Sequence, residues 1–108
     1  PIAWFSGMPW NEAIVAGEIL GIKTTRNEFV AYPALASLES GLLSDKSKLI
    51  TFYGLCGFAN LSSVGILISG IGAMAPERKQ DLISVSFKAL VGATLASCMT
   101  GLVVGCFI

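Results

Sequence analysis

Three side chains offer chemistry in this sequence: the carboxylate of Glu28 and, far along the chain, the amide of Asn60 and the hydroxyl of Ser63. Asn60 lies inside Leu49–Ala75, a run of 27 residues without Asp, Glu, Lys or Arg, in the island Cys56-Gly57-Phe58-Ala59-Asn60-Leu61-Ser62-Ser63. Polar groups at such a depth are costly without partners, and they characteristically line a substrate path. The alternative is interhelical glue, with Asn60 and Ser63, which share a helix face, bonded to a neighbouring helix. Glu28 opens a second apolar arm. It is either an acceptor facing Asn60 and Ser63 across a midplane cavity or half of an interfacial salt bridge to Arg26 or Lys23. A carboxylate, an amide and a hydroxyl together suit a neutral polyhydroxylated solute, such as a sugar with vicinal hydroxyls.

Other chemistries find little support. The chain has no His, which removes His-dependent triads and the commonest metal ligand. Cys56, Cys98 and Cys106 lack CxxC spacing and read as small buried hydrophobes. Gly70-Ile71-Gly72-Ala73-Met74-Ala75 fits a dinucleotide fingerprint, but Pro76 follows at once and no acidic residue occurs after Asp81 to hold a ribose. Asn60-Leu61-Ser62 is formally a glycosylation acceptor, yet it sits where no exposed loop is expected. No enzyme activity is expected.

The elements that must position the three groups are those of a membrane protein. Of 108 residues, 54% are hydrophobic and 13% charged, with a mean hydropathy of +0.75; soluble domains carry about 25% charge. Net charge is zero, so nothing favours nucleic acid as a partner. The chain begins with Pro1, shows no signal peptide and reads as a piece of a longer protein.

Pro1–Trp10 carries Trp4 and Trp10, residues suited to the bilayer interface. Asn11 is a plausible cap for the apolar arm that follows, Lys23–Glu28 forms a polar knuckle, and Phe29–Leu38 is apolar again, with Pro33 predicting a kink or helix start. Arms this short of the ~20 residues of a span point to a re-entrant hairpin over about Asn11–Leu38. Its neighbour, about Ser47–Ala75, is rich in glycine and predicted to be a transmembrane helix broken near Gly57–Ser63. Pro76 suits a helix start, and about Pro76–Ile108 forms a final transmembrane helix, in which Gly101-x-x-x-Gly105 is a packing motif. Lys46 and Lys48 on one side balance Arg78 and Lys79 on the other, so the loops assign no orientation.

Three blocks carry a family resemblance. Gly21-Ile22-Lys23 with Asn27-Glu28-Phe29-Val30-Ala31-Tyr32, then Cys56–Ile66, then Gly72-Ala73-Met74-Ala75-Pro76-Glu77-Arg78-Lys79 resemble, in order, the C-terminal part of the concentrative nucleoside transporters. The resemblance implies an all-α integral membrane fold from an inverted-repeat transporter and a homotrimer in the plasma (cytoplasmic or inner) membrane. It implies cation-coupled nucleoside symport, with sodium or proton as the driving ion, by an elevator-type motion. Carried over residue by residue, Glu28, Asn60 and Ser63 match ribose contacts and Phe58 an apolar contact beside the nucleoside. The coupling-ion site is expected upstream of Pro1, with no cofactor held here. The rival reading is a non-transporting membrane scaffold or assembly protein.

Overall fold

The computed structural model describes residues 1–108, and every regular element in it is helical. The order is α1 (Ile2–Phe5), α2 (Trp10–Thr25), α3 (Glu28–Ala36), α4 (Asp45–Gly54), α5 (Leu61–Met74), a 3-10 turn over Pro76–Arg78, and α6 (Lys79–Cys106). Helix α2 starts two residues earlier than a cap at Asn11 would place it: Pro9 is its N-cap, so Asn11 is not the cap but lies within the first turn. Proline fits there because the missing N–H would have had no intrahelical partner. Glu12 sits in that turn, where the helix dipole favours an anion.

At the other end of α2, Thr24 and Thr25 return their hydroxyls to the carbonyls of Leu20 and Gly21 at 2.9 and 2.8 Å. Two residues later Asn27 caps α3, its side chain accepting the Val30 N–H at 3.0 Å. The pair is therefore a helical hairpin with a tight tip. Pro33 neither starts nor breaks the second arm; α3 accommodates it in its interior and ends one turn later. The hairpin seals against α4 through Ala13, Ala16, Ile19, Leu20 and Ala31, with Ile50 and Leu55 from the other side.

Helix α4 begins at Ser44, which caps Ser47 N–H, and ends at Gly54; Leu55–Asn60 is non-helical, and α5 resumes at Leu61. The interruption is therefore placed slightly earlier than the sequence reading had it. Ser63 already belongs to α5, because Asn60 is a competent N-cap and nucleates the helix ahead of it.

Helix α6 is the one helix, counted with its leading turn as Pro76–Cys106, that is long and apolar enough to cross a membrane; Leu61–Met74 is a shorter apolar helix. Its inner seam is made of small residues, with Ser97, Gly101 and Gly105 buried. A Cβ on Gly101 would fall 2.7 Å from the Ile50 carbonyl oxygen, and one on Gly105 would fall 2.9 Å from Ile50 Cδ1. Gly101 thus brings α6 onto the backbone of α4, and Gly105 brings it onto the Ile50 side chain. The opposite face exposes Val91, Leu95 and Met99.

The close approach makes a prediction. Gly101→Ala in the full-length protein forces α4 and α6 apart and costs about 1–3 kcal/mol, as overpacking does. Gly92→Ala, on the open face with nothing within 4 Å of the added methyl, leaves the thermal unfolding midpoint unchanged or raises it. Unfolding midpoints of the two variants in detergent check it; equal midpoints contradict the packing.

Candidate functional site

The interruption between α4 and α5 lies beside the tip of the hairpin, and four helix ends converge there: the C-termini of α2 and α4 and the N-termini of α3 and α5. Helix C-termini present unpaired carbonyls and a partial negative charge, while N-termini present unpaired N–H groups and a partial positive one. In an apolar surrounding each of these groups needs a partner.

Asn60 supplies several at once. It is 1% exposed. Its Oδ1 accepts the Ser63 N–H at 2.7 Å, closing the first turn of α5. Its Nδ2 donates to Glu28 Oε2 at 3.1 Å and, at 3.4 Å, to the carbonyl of Phe58. Glu28, 6% exposed, is the first residue of α3. Its carboxylate lies between two positive helix ends, that of its own helix and that of α5, with the Asn60 amide as the link. The carboxylate and the amide are therefore in direct contact, not separated by a cavity as the sequence reading had them.

Glu28 forms no salt bridge with Arg26 or Lys23; the only ion pair joins Arg78 and Asp81 at 2.7 Å on the surface. Asn60 occupies one carboxylate oxygen. No buried side-chain oxygen lacks a partner, so the second, which has none, reaches accessible surface. A carboxylate with one oxygen fixed and one open is an acceptor held ready for a hydroxyl.

Ser63 and Phe58 stand on the other side of Asn60. Both line a cavity of about 640 Å³ between α5 and α6, together with Asn60, Val64, Leu67 and Ala93. The Ser63 hydroxyl makes no hydrogen bond within the chain. The Phe58 ring is 67% exposed and offers a flat apolar face. Glu28 is outside this cavity's lining, behind Asn60.

The negative ends are answered by residues to which the sequence reading gave no such role. Lys23, 2% exposed, donates its ammonium to the carbonyl of Gly54 at 3.1 Å, at the C-terminus of α4. Tyr32 Oη lies 3.3 Å from the Phe52 carbonyl, to which it donates, and 3.2 Å from Cys56 Sγ. The cysteines are not buried as expected: Cys56 and Cys106 are exposed and Cys98 is half-buried. Gly57 packs tightly on α6: an added Cβ would collide with Ser97 Oγ, so Ser97 would have to shift to admit one. A signal for Lys23 was present in the sequence. The buried positions of α2 run Ala13, Ala16, Ile19, Leu20, and the same spacing continues to Lys23.

Comparison with known proteins places these residues in context. Residues 1–105 match the family model described as Na+ dependent nucleoside transporter C-terminus. The chain is 44% identical over 112 residues to Nucleoside permease NupC of Helicobacter pylori, covering 100% of this chain and 27% of that protein. A variant of CNTnw in its intermediate 3 state superposes with a TM-score of 0.90 at 40% identity, over 99% of this chain and 27% of that one. CNTnw in an inward-facing substrate-bound state gives a TM-score of 0.85 at 40% identity, over 95% of this chain and 26% of that one. The chain thus spans about a quarter of the length of the relatives it matches.

The geometry predicts two different outcomes at position 60. Asn60→Ala strips both the α5 cap and the Glu28 partner and lowers unfolding stability by about 2–3 kcal/mol. Asn60→Asp keeps the cap but sets a second carboxylate against Glu28, so it loses stability at neutral pH and regains part of it in the Glu28→Gln background. Thermal unfolding of the three full-length variants decides the matter. An Asn60→Asp loss that Glu28→Gln does not relieve argues against the contact.

Proposed function

The chain belongs to the Na+ dependent nucleoside transporter family, matching its C-terminal part, and we propose that the complete protein couples a cation gradient to nucleoside uptake through a site to which Glu28, Asn60, Ser63 and Phe58 contribute. The family is one of transporters, not enzymes, and the chain is part of an integral membrane protein.

One observation carries the site assignment: a buried carboxylate, hydrogen-bonded at 3.1 Å to a buried helix-capping amide, with one oxygen still open. A ribose presents vicinal hydroxyls, each able to donate one hydrogen bond. In this reading the open oxygen of Glu28 accepts from the ribose, Asn60 fixes the carboxylate and contributes its own polar edge, and the Ser63 hydroxyl takes a further contact. Phe58 gives the nucleoside an apolar surface to lie against. The hairpin is re-entrant in this reading, since two arms of 16 and 9 residues fall short of a span.

The elevator-type motion is supported by how the hairpin is fastened. Near the base of the hairpin, the Glu12 carboxylate accepts from Ser44 N–H at 3.2 Å and Ser44 Oγ at 2.9 Å. At the tip, Lys23 holds Gly54 and Glu28 holds Asn60. Bonded at both ends, α2, α3, α4 and the start of α5 form one body that can travel without rearranging. The close fit to CNTnw in both an intermediate and an inward-facing state accords with a unit that keeps its shape. The driving ion, sodium or proton, is bound by residues outside this segment. The protein assembles as a homotrimer in the plasma or inner membrane.

Uptake of labelled uridine by the full-length protein in proteoliposomes tests the reading. Glu28→Gln removes a charge-assisted acceptor, which corresponds to about a 10–100-fold loss of apparent affinity. Glu28→Ala abolishes uptake, and Ser63→Ala raises KM less than tenfold, while all variants remain in the membrane. Uridine uptake unchanged in Glu28→Ala and Asn60→Ala excludes the site and leaves the scaffold reading.

A further inference from the structure

Lys23 is a charged side chain that the proposed site does not use and that the chain nevertheless buries. It stands on the last turn of α2, 2% exposed, with its ammonium on the Gly54 carbonyl at 3.1 Å. It pairs with no acid. Burying an ammonium without a directly paired carboxylate is expensive, so the fold must supply compensating negative charge nearby. It does so from the C-terminal ends of α2 and α4 and, beyond salt-bridge distance, from the Glu28 carboxylate.

The position of this cation along the interruption is informative. Gly54 is the last helical residue before the non-helical Leu55–Asn60, and a Cβ on Gly57, halfway along, would lie 3.6 Å from Lys23 Nζ. The ammonium therefore lies beside the first half of the loop. Ser97 of α6 closes the same spot from the other side, since it would have to shift to admit a Cβ on Gly57. The loop's far end is Asn60, on Glu28. The two buried charges thus hold the two ends of one six-residue segment (55–60), each against the same hairpin tip, five residues apart in sequence.

We propose that Lys23 is a positioning residue of the substrate site: its charge anchors the C-terminal end of α4 to the hairpin and so holds the Leu55–Asn60 loop where Asn60 meets Glu28. The inference rests on the nucleoside-site reading above. It differs from simple capping of an orphan carbonyl in one respect. A cap alone stabilises the fold, whereas a positioning charge also sets affinity at Asn60 and Glu28, which Lys23 does not touch.

Binding of labelled uridine to the detergent-purified full-length protein separates the two. Lys23→Met is expected to raise the dissociation constant at least tenfold in protein that remains monodisperse. Lys23→Arg, which keeps the charge, stays within threefold of wild type. Because Lys23 acts through the Asn60–Glu28 contact, Lys23→Met combined with Glu28→Gln binds no more weakly than Glu28→Gln alone. Independent effects, which multiply, overturn the inference. So does wild-type affinity in Lys23→Met. Should that variant not be recovered folded, Lys23→Gln, which keeps a donor for Gly54 without the charge, replaces it: a tenfold loss supports the assignment and wild-type affinity overturns it. Wild-type protein that fails to bind uridine brings down the nucleoside reading itself. Wild-type protein that binds, beside a Lys23→Met that binds as tightly, brings down this inference alone.

Discussion

Interrupting a helix inside an apolar medium strands backbone groups at both new ends, and the rest of this chain is organised around supplying them. Where α4 stops, its carbonyls would be left bare; where α5 starts, its N–H groups would be. The last turn of α4 is closed piece by piece. Leu55 N–H reaches the Thr51 carbonyl at 2.9 Å, Cys56 N–H reaches that of Tyr53 at 3.2 Å, Tyr32 Oη takes Phe52 and Lys23 takes Gly54. On the α5 side Asn60 closes the first turn. Three of these partners, Lys23, Tyr32 and Glu28 through Asn60, come from the hairpin. The hairpin is thus the missing hydrogen-bonding environment of the broken helix.

Charge follows from the same constraint. A Lys placed at two negative ends and a Glu placed at two positive ends satisfy the local fields without meeting each other. Had Lys23 and Glu28 paired directly, each would have spent its charge on the other rather than on a helix end. Separation leaves one oxygen of Glu28 with an open valence, and an open acceptor at a guarded position is what a hydroxylated ligand requires. The stabilising device and the proposed recognition device share one carboxylate.

Much of this was legible in the sequence, and the illegible part has a physical cause. The uncharged runs, the polar island at Asn60 and the Gly101-x-x-x-Gly105 motif are one-dimensional signals; that Asn60 caps α5 was not read from them, although its residue type suits the role. The direct Glu28–Asn60 contact was not legible, because spacing along the chain says that two groups can converge, not whether a gap remains between them. Lys23 was read as part of a polar knuckle and as a salt-bridge candidate for Glu28, since lysine is seldom buried. Its periodicity with Ala16 and Leu20 points inward, a signal that this reading did not use. Position 11 misled for a related reason: a good capping residue was present, but Pro9 had already set the helix start one residue ahead of it.

The surface bears on what surrounds the site. Only 22 of 108 residues are buried, although 54% are hydrophobic, so large apolar faces remain open on this segment. These faces differ in kind. The outer side of α6, with Val91, Leu95 and Met99, is smooth and apolar, as lipid contact requires. The cavity between α5 and α6 is concave and mostly apolar; the hydroxyls of Ser86, Ser97 and Thr100 on its wall return to carbonyls of α6, while that of Ser63 is unpaired beside the amide of Asn60. Lipid could fill its shape but would leave the Ser63 hydroxyl without a partner, at a cost of several kcal/mol by the rule for polar groups in hydrocarbon. A surface that is apolar over most of its area, with an unpaired hydroxyl beside an amide, is matched by a molecule with the same division. In the proposed reading that molecule is a nucleoside, flat and weakly polar on its base and hydroxylated on its sugar.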